Sequence, residues 1–218
     1  MRAYPKGLRV NSSNFAPEVF WRKGVQMVAL NWQNVNAAMM LNEAMFAGTG
    51  GWCLKPVGYR SSHDATSQLS AAPRATLQLT LNILAAENIT SKSERVKPYV
   101  RCEIHVEEEQ ERRQGAFPEG GRTKEGEIKA STEVGLGGSN PDFRQTLRFI
   151  DIEGVIPELT FVRLKVMDGD AFSRDNLIAW ACFRLDRLRG GPRLIDLYDP
   201  DGIKNGGRMF VVIDKTLH

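Results

Sequence analysis

Hydrophobic and polar residues alternate along most of the chain after residue 75, a pattern typical of half-buried β-strands. In "TLQLTLNI" the side chains of Leu77, Leu79 and Leu81 share one face, and in "YVRCEIHV" residues 100, 102, 104 and 106 are expected to point inward. The pattern continues in "FRQTLRF", "VRLKVMD", "LIAWACFRL" and "MFVVID". Six or more such strands separated by turn signals predict an antiparallel β-sandwich of about 140 residues.

One stretch interrupts this rhythm, the charged and glycine-rich "EEEQERRQGAFPEGGRTKEGEIKAS". Its mixed charges favour a solvated loop between strands over a basic lipid-binding patch. Trp21, Trp32, Trp180 and Phe183 lie in or beside apolar strands, so we expect them in the core.

The first 60 residues follow a different pattern. "GVQMVALNWQ" is a continuous apolar run, typical of a strand in a covered parallel sheet. "NAAMMLNEAMFA" predicts a helix that ends at "GTGG", and Ser12, Ser13 and Asn14 are interpreted as caps and turn residues for a helix around 17–21. A unit this small cannot bury its own core, so residues 1–60 are predicted to close a larger α/β fold.

Composition narrows the class of protein. Hydrophobic residues at 42% and charged residues at 25% are ordinary for a soluble globular protein. Three scattered cysteines favour a reducing cytosol over a disulfide framework or a zinc site. The net charge is +3, but residues 1–60 carry 7 basic and 2 acidic side chains, which favours an anionic partner for that part. The serine- and alanine-rich residues 61–74 are predicted to link residues 1–60 to a domain at 75–217.

Several blocks of residues together resemble the C-terminal part of phosphoinositide-specific phospholipase C. The sandwich resembles the C2 domain of these enzymes through Asn140-Pro141 and through Asp168-Gly169-Asp170 followed by "FSRDNLIA". The blocks that resemble the end of the Y region of the catalytic barrel are Arg2-Ala3-Tyr4-Pro5 with Gly7, Arg9 and Ser12-Ser13-Asn14, then "FWRKGVQMVALNWQ", then Leu54-Lys55-Pro56. The fold implied is mixed: a partial TIM-like α/β barrel segment at 1–60, then an antiparallel eight-stranded β-sandwich of the C2 type.

The resemblance implies an enzyme of intracellular signalling that hydrolyses phosphatidylinositol bisphosphate to diacylglycerol and inositol trisphosphate. In that family two histidines and a calcium ion in the X half of the barrel carry out catalysis. None of the three histidines, His63, His105 and His218, lies in a matching motif, so no catalytic residue is assigned. The chain by itself is therefore predicted to be inactive. Its expected partners are the missing barrel half, phosphoinositide lipid and a membrane surface, without nucleic acid, at a cytoplasmic peripheral location.

Two residues match the substrate-binding motif of the Y region, Arg2 and Tyr4. The resemblance implies that the arginine binds a ring phosphate and that the tyrosine packs on the inositol. A guanidinium group suits phosphate because it donates two parallel hydrogen bonds. The alternative is a surface arginine beside a tyrosine that covers one end of a barrel. Lys6 and Arg9 are weaker candidates for added positive potential.

A second candidate site is a calcium site in the loops of the sandwich, formed by Asn140, Asp168 and Asp170. Calcium needs ~6–8 oxygen ligands, so several loops must converge on it. Lys97 occupies the position where calcium-binding relatives carry an aspartate, so calcium binding by this domain is expected to be weak or absent. The alternative is an ordinary Asp-Gly-Asp turn. Phe172 is a better candidate for insertion into lipid than the three tryptophans and Phe183 that we expect in the core.

Two other classes of function remain possible for this sequence. One is a non-catalytic C2-type module that binds lipid or protein, and the other is a catalytically dead relative of the enzyme. The Y-region blocks argue against the first, because a binding module has no use for the Arg2 and Tyr4 pair.

Overall fold

The computed structural model describes residues 1–4, 12–60, 72–89, 96–107, 127–169 and 176–218. The elements of these residues are β1 (Arg2–Ala3), α1 (Pro17–Arg22), β2 (Met27–Val28), α2 (Ala37–Phe46), β3 (Ala75–Glu87), β4 (Pro98–His105), β5 (Glu127–Ser131), β6 (Asp142–Val155), β7 (Phe161–Asp168), β8 (Asn176–Arg184), β9 (Gly191–Tyr198) and β10 (Lys204–Leu217).

Strands β3 to β10 form an antiparallel sheet in the order β5-β4-β7-β8-β9-β10-β3-β6. Strands β8 and β9 are joined at a single pair, Trp180 with Tyr198. The sheet therefore divides there into two four-stranded halves. Residues of both halves, such as Leu164 and Ile213, belong to the same buried cluster, so the halves face each other as a sandwich.

The alternation of the sequence determines which side chains fill this sandwich. Leu77, Leu79 and Leu81 are at most 1% exposed, as predicted. Residues 100, 102, 104 and 106 of the "YVRCEIHV" stretch are also buried in the same cluster. A strand with period two places every second residue on one face, and here that face is the core.

Two strands lie outside the predicted set. β5 forms from the last residues of the stretch that was interpreted as a loop, and it pairs with β4 between His105 and Arg101. Residues 108–126 of that stretch lie outside the described residues. β9 was missed because its pattern is mostly exposed, with Ile195 and Leu197 as its buried positions.

The N-terminal segment, residues 12–60, packs against the outside of the sandwich. Helix α2 and the predicted helix near residue 17 are both present. The apolar run from Gly24 to Asn31, however, is a strand only at Met27–Val28, as short as its parallel partner β1. A strand extends only as far as a neighbouring strand supplies hydrogen-bond partners. The described part thus shows a parallel strand pair with two helices.

A second hydrophobic cluster joins this segment to the sandwich. Trp21 of α1 and Leu41 and Met45 of α2 are buried with Phe161 of β7, and Cys182 of β8 packs against them. The rings of Trp21 and Phe161 are 5.9 Å apart. The helices therefore cover the outer face of β7 and β8.

Among the described residues, no helix is long and apolar enough to span a membrane.

The aromatic predictions had mixed outcomes. Trp21 and Trp180 are buried as predicted, and Phe183 is half-buried. The prediction for Trp32 was wrong, because its side chain is 69% exposed. Trp32 lies in a turn after β2 rather than in the strand, and the described elements leave its side chain uncovered.

Candidate functional site

Arg2 and Tyr4 lie on the uncovered face of the small parallel sheet. Arg2 pairs with Met27 and Ala3 pairs with Val28. Val28 packs against the second hydrophobic cluster, so this face is covered by the helices. Alternation places Arg2, Tyr4 and Met27 on the opposite face, where Tyr4 is 65% exposed and Arg2 is also exposed.

Tyr4 and Ala29 directly follow the last residues of the two strands. The backbone amide of Ala29 donates to the carbonyl of Ala3 at 2.9 Å, so the parallel pairing extends one residue past the end of β2. Tyr4 lies at the carboxyl end of β1, and sites of parallel α/β folds lie at carboxyl ends of strands. Tyr4 directly follows the strand and lies two residues after Arg2, so we expect the two side chains on the same side if the backbone stays extended. Lys6 and Arg9 lie outside the described residues.

The turn after β2 is attached to the segment that precedes α1. Asn14 is 6% exposed, and its Oδ1 atom accepts from the Asn31 amide at 2.6 Å. Its Nδ2 atom donates to the carbonyls of Asn31 and Asn34, each at 3.2 Å. The prediction that Asn14 caps the helix was wrong: the N-cap is Ala16, without a side-chain hydrogen bond, and Pro17 opens the helix.

The sequence did not reveal that Asn14 binds the turn after β2, and the reason is physical. Asparagine is common in caps and turns, and its short-range role is the default interpretation. Asn14 instead binds residues 17 and 20 positions away. The signal in the sequence was the second group of asparagines, Asn31, Asn34 and Asn36, at the end of the adjacent strand.

The candidate calcium ligands of the sandwich lie in loops that already use them in hydrogen bonds. Asp168 is 4% exposed, and its Oδ1 atom accepts from the backbone amide of Lys97 at 3.0 Å. The Oδ1 atom of Asn140 accepts from the Asn88 amide at 3.0 Å. Asp170 and Phe172 lie outside the described residues.

One side-chain oxygen of each described candidate already binds a backbone amide. The part of the chain that the structure describes contains no group of three or more histidine, cysteine, aspartate or glutamate residues placed to hold a metal. The side chain of Lys97 is exposed, and its backbone amide provides the contact with Asp168. The two candidate oxygens that are described thus stabilise backbone, and calcium binding at this place stays a prediction.

A group of charged side chains is buried between α1 and the sandwich. Arg163 Nε donates to Glu103 Oε2 at 2.7 Å, and Lys165 also pairs with Glu103. His105 Nδ1 lies 3.9 Å from Glu18 of α1. Burial opposes ionisation of Glu103, but the adjacent Arg163 and Lys165 lower the pKa of its carboxyl.

His105 is therefore a structural residue of this interface. Burial lowers the pKa of its imidazole well below the usual value, and the guanidinium groups of Arg163 and Arg22 lower that pKa further. The Glu18 carboxylate does not outweigh these effects. Alternation had placed Glu103 and His105 toward solvent, because the sequence of one strand does not reveal that a helix covers its outer face.

The fold and its two groups of candidate residues define a C2-type β-sandwich with an attached α/β segment. The family model for the C2 domain matches residues 77–199, which is more than half of the chain. The model for the Y domain of phosphatidylinositol-specific phospholipase C matches residues 1–58. The chain belongs to the phosphoinositide-specific phospholipase C family and carries the Y-region and C2 part of it.

Named relatives agree with this assignment. The chain is 35% identical over 207 residues to the mouse 1-phosphatidylinositol 4,5-bisphosphate phosphodiesterase delta-3, with 92% of this chain and 24% of the relative covered. It is 31% identical over 199 residues to the rat gamma-2 enzyme, with 90% of this chain and 14% of the relative covered. The chain thus spans about a quarter or less of the length of these relatives.

Solved structures support the fold. The crystal structure of S. officinalis PLC21 matches with a TM-score of 0.72 and 24% identity, over 99% of this chain and 26% of that chain. The structure of L. pealei PLC21 matches with a TM-score of 0.71. At this identity the likeness establishes that the segment and the sandwich have the same arrangement as in those proteins, and nothing about their ligands.

Proposed function

We propose that this chain is the C-terminal part of a phosphoinositide phospholipase C and that it contributes one wall of the lipid headgroup site. The observation that supports the proposal is that Arg2 and Tyr4, two residues apart at the carboxyl end of β1, are both exposed. In this proposal Arg2 binds a ring phosphate through its guanidinium group. Tyr4 offers the apolar face of its ring to the inositol.

The small sheet is incomplete by itself, which supports a barrel as its context. In the described residues β2 pairs with β1 alone, and parallel pairs of this length occur within larger sheets. Met27 is 49% exposed, and Trp52 and Leu54, which line the same cavity as Met27, are 82% and 74% exposed. We assign this surface to the remainder of a TIM-like barrel, which also supplies the catalytic histidines and calcium of the family.

The domain division at 1–60, 61–74 and 75–217 is part of the proposal. In it the sandwich holds the catalytic segment through the buried contacts of α1 and α2 and presents its loops to a membrane surface. The protein then acts as a cytoplasmic, peripheral enzyme on phosphatidylinositol bisphosphate. The names of the delta-3 and gamma-2 relatives support this substrate.

A reconstitution experiment tests the function. The 218-residue chain and the full-length protein that contains it are assayed on phosphatidylcholine vesicles with phosphatidylinositol bisphosphate, with release of inositol trisphosphate as the readout. We expect release by the full-length protein and none above the buffer control by the 218 residues alone. An inactive full-length protein that still binds the vesicles would favour the alternative of a C2-type binding module.

A further inference from the structure

Four residues connect the segment before α1 to the turn that follows β2. We call this set the asparagine clasp: Ser12 and Asn14 before α1, and Asn31 and Asn34 in the turn after β2. The turn itself is closed by the Asn34 amide, which donates to the Asn31 carbonyl at 3.2 Å. Trp32 lies inside the turn with its side chain exposed.

Side chains of both segments of the clasp form hydrogen bonds with the backbone of the other segment. Asn14 reaches into the turn through three hydrogen bonds, two donated by Nδ2 and one accepted by Oδ1. In return Asn31 Nδ2 and Asn34 Nδ2 donate to the Ser12 carbonyl at 3.2 and 3.4 Å. Ser12 has a φ of 52°, a left-handed conformation that a residue other than glycine adopts when its surroundings hold it there.

The chemistry of Asn14 is specific to an amide. It must donate to two carbonyl oxygens and accept from one backbone amide within a buried space. Aspartate has the same shape but places a charged oxygen against both carbonyls, and alanine leaves all three backbone groups without this partner. Asn14 is therefore replaceable by neither without a change in the turn.

We propose that Asn14 is a positioning residue that holds the 31–34 turn, with Trp32, at the rim of the headgroup site formed by Arg2 and Tyr4. The inference rests on the proposed function, because it concerns the rim of that same site. Asn14 touches no substrate; it fixes the backbone that follows β2 relative to the segment that leads into α1. A misplaced rim lowers turnover even when reactive groups stay intact, because small errors of position are costly in catalysis.

Hydrogen exchange in the full-length protein tests the clasp directly. The variants are Asn14→Asp and Asn14→Ala, and Asn205→Asp is the matched control, since the Oδ1 atom of the exposed Asn205 accepts from the Gly207 amide, a bond that aspartate keeps. We expect peptides that cover residues 31–34 to exchange at least tenfold faster in both Asn14 variants, with β3 unchanged. The Asn14→Asp effect should diminish on acidification, because a protonated carboxyl can donate to one carbonyl. The Asn14→Ala effect should not.

Turnover on vesicles of phosphatidylcholine and phosphatidylinositol bisphosphate completes the test. We expect kcat per folded molecule to fall at least tenfold in the Asn14→Asp variant, with vesicle binding unchanged and the control unaffected. Unchanged exchange in residues 31–34 would overturn the clasp, and faster exchange with full turnover would overturn its role at the site. An unsubstituted protein without activity would instead refute the proposed function, whatever the exchange data show.

Discussion

Arg163 of β7 and Glu103 of β4 form a buried ion pair two residues along β4 from His105, whose Nδ1 atom lies 3.9 Å from Glu18 of α1. The side chains of the two residues are 4% and 2% exposed. Lys165 adds a second cation to the same carboxylate. The interface between the two parts of this chain is thus charged at one end and apolar around Phe161 at the other.

We predict that Glu103→Gln destabilises the chain strongly. The change keeps the size of the side chain but leaves the cations of Arg163 and Lys165 without their carboxylate. Removing one partner of a buried pair costs about 3–5 kcal/mol, because a buried charge is left uncompensated. The free energy of unfolding, measured by urea denaturation with tryptophan fluorescence, checks the value.

The exposed pair of Lys204 and Asp196 provides the control. Its side chains are 55% and 60% exposed, so Asp196→Asn should cost less than about 1 kcal/mol. Equal losses of unfolding free energy from Glu103→Gln and Asp196→Asn would show that solvent reaches the Glu103 pair. That outcome would contradict the burial of the pair.

We predict that acid destabilises the chain through His105 below about pH 6.5. The pKa of His105 is lowered in the folded state, so the unfolded chain binds a proton that the folded chain does not. Stability therefore falls as the pH drops below the unfolded value, by at most about 1.4 kcal/mol per pH unit. Thermal unfolding between pH 8 and 5.5 should show a steeper decline for the natural chain than for His105→Gln.

His218→Gln is the matched control for this prediction. His218 is exposed at the end of the chain, so its removal should leave the pH dependence unchanged. Parallel curves for the natural chain and His105→Gln would mean that His105 takes up its proton equally in both states.

The sandwich followed from the sequence because period two reports burial directly. Leu77, Leu79 and Leu81 needed no knowledge of their neighbours, since one strand already separates its two faces. The charges at Glu103 and Arg163 could not be interpreted in this way. Their burial depends on contacts between distant parts of the chain, beginning with the pair itself, whose members lie 60 residues apart, and no local pattern encodes such a contact.

The candidate site shows the same difference between local and distant signals. Arg2 and Tyr4 were predicted through a motif within four residues, and both side chains are exposed, while their role stays a prediction. Asn14 was misinterpreted because its partners, Asn31 and Asn34, belong to another strand end. The position of Asp170 in the calcium prediction stays untested, since it lies outside the described residues.

We predict that Arg2→Ala in the full-length protein lowers turnover of phosphatidylinositol bisphosphate more than turnover of unphosphorylated phosphatidylinositol. A charge-assisted contact to a ring phosphate is lost only where that phosphate exists, and such contacts contribute about 1.5–3 kcal/mol, or roughly tenfold or more in rate. Ratios of kcat/KM on mixed vesicles measure the difference. Arg189→Ala, an exposed arginine of the sandwich, changes the net charge equally and should alter neither rate. Equal losses on both lipids would point to a structural role for Arg2.

The last prediction is that the sandwich binds calcium weakly or not at all and that Lys97→Asp creates or strengthens a site. Asp168 and Asp170 bring two negative charges to these loops, Asn140 a neutral oxygen, and Lys97 one positive charge. The substitution changes the local charge by two units and adds a carboxylate next to the amide that binds Asp168. Because charge count tunes calcium sites, affinity should rise at least tenfold, or about 1.4 kcal/mol. Calorimetric titration compares the natural domain, Lys97→Asp and the control Arg189→Asp, which makes the same charge change elsewhere. Tight binding by the natural domain, or an equal gain in both variants, would contradict the assignment of these loops.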